Sequence, residues 1–344
     1  MRRSGLDLLA KALFSVFAAY SLLPEGKAWG QTAGCEAALR RLDGAIAARD
    51  RQALEREGFE IGGLPGCDPD LVRPKRRDAA LILSGMAEAA ASAGEAAEAV
   101  RDRYAKARRV AAVWPVVRGL ADLAYTRRDW NGAAKLYSDF LAAVQDPDPD
   151  APPIPPAVTM LAYQRASETQ MLIDPATAPL PHTRAGEVGG LDAVLTSQTG
   201  ATQEGGLRDL VPRVRLMPVT FATNGAVMTP QGRLFAERWW ESIRASAAPA
   251  LLLAGHSDPR GNARRNEVLS LERAGALSSF LKEKGYTGTL TVVGYGPHCP
   301  KPLSPGSSYT AAEQYQIQRR VEIIPSGALP PGYCRGAAPL TAGQ

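Results

Sequence analysis

The apolar run Ala250–Gly255 leads into His256-Ser257-Asp258-Pro259-Arg260-Gly261, and a segment at helical spacing then carries Asn266 and Arg273. If that helix folds back beside the loop, a carboxylate and a guanidinium project toward one pocket. Each residue also has an ordinary reading. Asp258 precedes proline and can be a turn residue. Arg273 can pair with acids on its own helix, and Asn266 can be a helix-start residue. His256 reads as a structural histidine, and the Arg319-Arg320 doublet as edge-strand charge. There is no nucleophile elbow, no metal-ligand spacing and no carboxylate pair with an acid/base role, and His256 with Asp258 resembles a dyad only superficially. These residues point to binding rather than catalysis, with no cofactor.

The four cysteines allow three pairings. Cys35 and Cys67 lie early in the chain, Cys299 and Cys334 late, and local pairing within each group is the simplest expectation. No Cys-x-x-Cys occurs and His182, His256 and His298 are scattered, so no metal is expected. A bridge from Cys299 to Cys334 would pin the end of the chain across the 297–316 loop and stiffen one rim of the pocket.

The elements that would position Asp258 and Arg273 alternate in type. Val214–Phe221 reads as a strand. Thr229-Pro230 opens a helix, with Thr as N-cap, Pro at the first helical position and Leu234, Trp239 and Ile243 as its apolar residues. Ala250–Gly255 is apolar throughout, as a central strand is. Asn262–Lys284 is a long helix with Leu269, Ala276, Leu277 and Phe280 on its buried side, and Thr289–Gly294 and Arg320–Ile324 are further strands. This order predicts a mixed sheet with helices on one face.

The first half of the chain is rich in alanine and arginine, with apolar residues at helical spacing over 36–58 and 78–145. Two helices break at Ser92-Ala93-Gly94. Val117, Leu120, Ala121, Leu123 and Ala124 form one stripe, and after a turn at Asp129-Trp130 a second stripe holds Ala133, Tyr137, Phe140 and Leu141. Small residues at the approach and large ones in the gaps are similar to a tetratricopeptide hairpin, and equally to an unrelated antiparallel helical pair. Met160–Ile173 adds a helix. Residues 146–156 are too proline-rich for one, and 174–206 read as a Pro/Gly-rich linker.

Residues 1–30 carry Arg2, Arg3 and Lys11, an apolar run from Ala12 to Leu23, and small residues at Ala28 and Gly30. The run is too short to span a bilayer but suits a cleaved secretory signal. Thr32-Ala33-Gly34-Cys35 also resembles a lipidation site, with Thr where Leu is usual. Without 1–30 the chain holds 36 basic and 33 acidic residues, so the net +5 falls to +3 and gives no reason to expect nucleic acid. The segments of alternating hydrophobicity that a membrane-spanning barrel needs are missing.

Three ordered blocks carry a resemblance. Gly255-His256-Ser257-Asp258 with Gly261, Asn266 through Leu269-Ser270 to Arg273-Ala274, and Arg319-Arg320-Val321-Glu322-Ile323 are similar to the pattern of the OmpA C-terminal domain family; Val219-Thr220-Phe221 and Gly294-Tyr295-Gly296 fit as well. The resemblance covers about residues 207–326. It implies a peptidoglycan-binding α/β sandwich in which Asp258 takes the ammonium and Arg273 the carboxylate of the wall's diaminopimelate. Asn266 would add a polar contact, Phe221 and Thr223 the opposite wall, and Arg320 the nearer member of its doublet. Gln318 stands where the family has Asn, and 297–316 is unlike its usual connection.

The expectation is therefore an α+β protein. It comprises a signal (1–30), a helical, tetratricopeptide-like domain (31–173), a linker (174–206), an OmpA-like domain (207–326) and a tail (327–344). It would be non-catalytic and exported to the periplasm or cell envelope of a Gram-negative bacterium, there or in association with the outer membrane. It would bind peptidoglycan and offer the helical domain to a protein partner. The alternative is an envelope-complex scaffold whose C-terminal domain binds protein instead.

Overall fold

A computed structural model of the chain describes residues 33–145, 151–173, 215–217, 221–222, 224–246, 249–325 and 333–341. The expected signal (1–30), the expected linker (174–206) and Thr223 lie outside the described residues. The described residues form helices and one small mixed sheet, an α+β arrangement. The chain divides into two compact units between Ala79 and Ala80. The helices from Ala97 onward thus share a unit with the sheet, a division different from the expected one between 173 and 207.

In the first unit α1 (Ala33–Ala48) and α2 (Arg51–Glu60) bury Leu42 and Leu54. Asp50 caps α2, its side chain accepting from the amides of Gln52 and Ala53. The disulfide Cys35–Cys67 closes this unit. Helix α3 (Pro69–Ser92) runs across the division and ends before Gly94 (φ 79°), at the break legible in the sequence.

In the second unit α4 (Ala97–Val110) precedes the hairpin of α5 (Trp114–Thr126) and α6 (Trp130–Gln145), and α7 (Pro156–Leu172) adds a third helix to it. The second stripe read from the sequence is buried throughout, with Ala133, Tyr137 and Phe140 fully inaccessible; of the first, Val117 and Ala121 are buried whereas Leu120, Leu123 and Ala124 are only partly so, and Val116, Gly119 and Tyr125 are buried instead. Helix α7 begins four residues before the expected Met160, because Pro156 suits a first turn whose amide has no intrahelical acceptor.

The sheet has strand order β1-β4-β2-β3-β5: Arg215–Met217, Val321–Pro325, Ala250–His256, Thr289–Gly296 and Leu340–Thr341. Strands β2 and β3 are parallel, and the other pairings are antiparallel. Residues 340–341, assigned to the tail, thus form an edge strand. Side chains alternate between the faces. Leu251, Leu253, Val321 and Ile323 pack against α8 (Pro230–Ser246) and α9 (Ala263–Glu283), whose Ala236, Ala274, Leu277 and Phe280 complete that core. Ala254, Val293 and Tyr295 face the other way, onto Cys299, Tyr333 and Cys334.

Thr229 caps α8 as expected, its hydroxyl accepting from the Gly232 amide. Of the three residues expected inward on α8, Leu234 needs correction, and the side chains of Trp239 and Ile243 lie outside the described residues. Leu234 is 45% exposed, and Phe235, Ala236 and Trp240 are the residues packed inward. Two glycines set the spacing between α9 and the sheet. A Cβ on Gly255 would collide with the Ser270 carbonyl, and one on Gly294 would lie 2.6 Å from the Leu271 amide nitrogen. Helix and strands therefore meet backbone to backbone.

Candidate functional site

The close approach at Gly255 places the first turns of α9 directly beneath the loop that leaves β2. Asn262 caps the helix through the Arg265 amide, and Gly261 (φ 84°) supplies the left-handed turn into it. Asn266, one turn later, donates its amide to the backbone carbonyls of Arg260 (2.7 Å) and Asp258 (3.3 Å). Its role is to clamp the loop. The sequence pattern placed it as a direct ligand contact, whereas its donors are taken by the chain itself.

Asp258 is buried to 7% exposure. Its Oδ1 accepts from the Arg260 amide (3.1 Å) and Nε (3.0 Å), and its Oδ2 from Arg260 Nη2 (3.1 Å) and Arg319 Nη1 (2.8 Å). Burial alone would raise its pKa, but the bonds from Arg260 and Arg319 prevail and hold the carboxyl at about 2. Arg273 projects from α9 with its Nε donating to the Gly225 carbonyl (3.1 Å) and its guanidinium 5.4 Å from the centre of the Phe221 ring. It has no carboxylate partner among the described residues. Burial and then Arg319 lower its pKa, and Asp258 opposes them, so the three charges share one electrostatic environment. Phe221, Asp258 and Arg273 thus occupy one neighbourhood.

Arg320 does not share it. It is 4% exposed and turned onto the opposite face of the sheet, where Nε donates to Glu322 Oε1 (2.6 Å) and Nη2 to the Cys299 carbonyl (3.2 Å). The reason is strand alternation. Arg320 shares the parity of Glu322, while Arg319 shares that of Val321 and Ile323, which face α9. Arg319 is the member of the doublet that reaches Asp258, and counting back from the apolar positions of β4 would have found it. Arg260 was also missed; its signal is its place two residues after Asp258 in a turn, where its amide meets the carboxylate.

The opposite face carries a buried polar network, in which His256 Nδ1 is left without a hydrogen-bond partner among the described residues. Tyr333 donates to Glu322 Oε2 at 2.6 Å and lies 3.3 Å from His256 Nε2, and His256 stacks on Tyr295 with centroids 5.5 Å apart. Burial above all, reinforced by Arg320, pushes His256 down to about 3, so its ring is neutral. Glu322 is held at about 2 because the Arg320 charge, with the hydrogen bonds from Tyr333 and Arg320, outweighs its burial. The disulfide Cys299–Cys334 packs beside this network, away from α9. The expected pairing is present, but its place is behind the sheet rather than at a rim of the Asp258 site. His256, Cys299 and Cys334 offer ligand atoms within 4.8 Å of one another, but both sulfurs are bonded to each other. They hold no thiolate for a metal.

The segment 297–316 reaches the helical hairpin. Glu168 of α7, fully buried, accepts from the Ser304 amide (2.7 Å), the Ser304 hydroxyl (2.6 Å), the Tyr309 hydroxyl (2.7 Å) and the Tyr125 hydroxyl (3.3 Å). Tyr309, Ile317 and Leu303 complete the apolar core of α5, α6 and α7. Helix α10 (Ala311–Gln318) follows, opened by a capping box between Thr310 and Glu313. Glu313 also accepts from Arg128 Nη2 (2.6 Å) and Trp130 Nε1 (3.1 Å), and Gln316 donates to the Met171 carbonyl (2.8 Å). Gln318 accepts from the Lys301 amide (2.7 Å) and donates to its carbonyl (3.0 Å). These bonds fix α10, which carries Tyr315 and ends at Arg319, so the helical layer positions one side of the site.

No protein-family model and no curated protein matches this chain.

Proposed function

We propose that the chain is an exported, non-catalytic protein of the OmpA C-terminal type. It would hold the diaminopimelate of peptidoglycan in the periplasm or envelope of a Gram-negative bacterium. The observation that carries this reading is the gathering of Asp258, Arg273 and Arg319 around the loop after β2. The carboxylate suits an ammonium. The guanidinium of Arg273, without a carboxylate partner among the described residues and backed by Phe221, suits the carboxylate on the same carbon. The two disulfides favour an oxidising compartment. A protein partner of the helical region would use a face other than the one already filled by Leu303, Tyr309 and Ile317.

Retention of the full-length protein on purified sacculi tests this. Wild type is expected to co-sediment, and the double variant Asp258→Ala with Arg273→Ala to stay in solution. Equal retention of both refutes the site. A second reading, a scaffold whose C-terminal half binds protein, is favoured by one observation: Asp258 is already paired with two arginines. Failure of wild type to bind sacculi would select it.

A further inference from the structure

The free protein presents one carboxylate, Asp258, to two guanidiniums bonded to it and to a third, Arg273, nearby. An incoming ammonium therefore finds its counter-charge taken. The two bonded arginines differ in a way that decides which one yields. Arg319 closes α10, which the capping box, Glu313, Gln316 and the buried Ile317 hold to the helical layer. Arg260 lies on the short turn Pro259–Gly261, and its side chain is 61% exposed against 36% for Arg319. Its guanidinium also lies 4.4 Å from the centre of the Tyr315 ring. A cation over that ring face keeps a favourable contact after the carboxylate lets go, so leaving Asp258 does not strand the charge in solvent.

We infer that Arg260 is a displaceable internal cap that occupies the ammonium position on Asp258 and swings off the carboxylate, keeping its contact with the Tyr315 ring, when a zwitterionic ligand binds. This rests on the reading of the site given above. Arg319 stays and keeps Asp258 ionised, and Arg273 receives the carboxylate. The cap sets specificity as well as affinity. Only a ligand with an ammonium competes with Arg260, whereas a ligand with carboxylates alone approaches the arginines without opposing it. Apparent affinity is lowered by the fraction of molecules that are capped.

Calorimetric titration of the full-length protein with meso-diaminopimelate and, separately, with pimelate, which has both carboxylates and no ammonium, tests the cap. Arg260→Ala is expected to bind diaminopimelate about threefold to fivefold more tightly than wild type, the range that an exposed pair supports. It is expected to bind pimelate equally or more weakly. Unchanged or weaker binding of diaminopimelate by Arg260→Ala, or an equal gain for both ligands, overturns the cap while leaving the wall-binding reading intact. Absence of diaminopimelate and sacculus binding by every form overturns both. Tyr315→Leu removes the ring that alone holds the guanidinium once it leaves Asp258, and weaker diaminopimelate binding is expected. A Tyr315→Leu protein that binds as wild type does overturns the role of the ring.

Discussion

Arg319 Nη1 lies 2.8 Å from Asp258 Oδ2, so the last residue after α10 and the loop after β2 meet in one ion pair. Because α10 is bonded to α5, α6 and α7 through Glu313, Gln316 and Ile317, that pair links the candidate site to the helical layer.

The pair has a pH signature. Asp258 titrates at about 2 in the fold against 3.8 for its ordinary value. A depressed carboxylate stabilises the fold fully above about pH 4, and this is lost as pH falls toward 2. Asp258→Asn is expected to lower stability by about 1–2 kcal/mol at pH 6, after discounting for the exposed Arg260. Urea denaturation should show the two proteins converging near pH 2, and a difference that persists there would contradict the assignment.

Glu168 ties the two layers together. Glu168→Ala leaves Ser304, Tyr309 and Tyr125 hydroxyls without their buried acceptor. The expected cost is about 3 kcal/mol, with faster amide exchange at 303–310. A loss below about 1 kcal/mol with unchanged exchange would show that the segment is held by Leu303 and Ile317 alone.

His256 makes the sheet acid-sensitive before any carboxylate titrates. Its ring is held neutral down to about 3, whereas the unfolded chain takes up a proton near 6.5. Stability is therefore full above pH 6.5 and falls as pH drops toward 3. From pH 6.5 to 4.5 the expected loss is about 2 kcal/mol. His256→Gln should abolish that slope while lowering stability at pH 7. An unaltered slope would place the proton elsewhere.

The Cys299–Cys334 bridge joins residues 35 apart and holds β5 against β3. Replacing both cysteines with serine is expected to cost about 3–4 kcal/mol by loop entropy and to expose the amides of Val293 and Gly294. Retention on sacculi should be unchanged, because the bridge packs on the face away from α9. Free thiols at Cys299 or Cys334 in non-reducing peptide maps would remove the bridge.

Local physics made much of this protein legible in its sequence. Helical spacing set the stripes of α5 and α6, Gly94 marked a break, Thr229 and Asn262 began helices, and the apolar run from Ala250 announced a central strand. Asp258 and Arg273 were legible because a loop after a strand and the helix behind it are joined by few residues, so their relative place is nearly fixed by chain geometry. Three outcomes were beyond local reading. The face taken by Arg320 depends on where strand alternation begins, which the pairing of β4 with β2 fixes. The place of Leu234 depends on which side of α8 meets the sheet, and Phe235 and Ala236 took it. The docking of 297–316 on Glu168 joins residues more than a hundred positions apart, and only a shared buried environment makes those hydroxyls and that carboxylate partners. Sequence determined which residues carry charge and which segments coil or extend. Tertiary packing decided which charges meet, because desolvation acts only once the neighbours are in place.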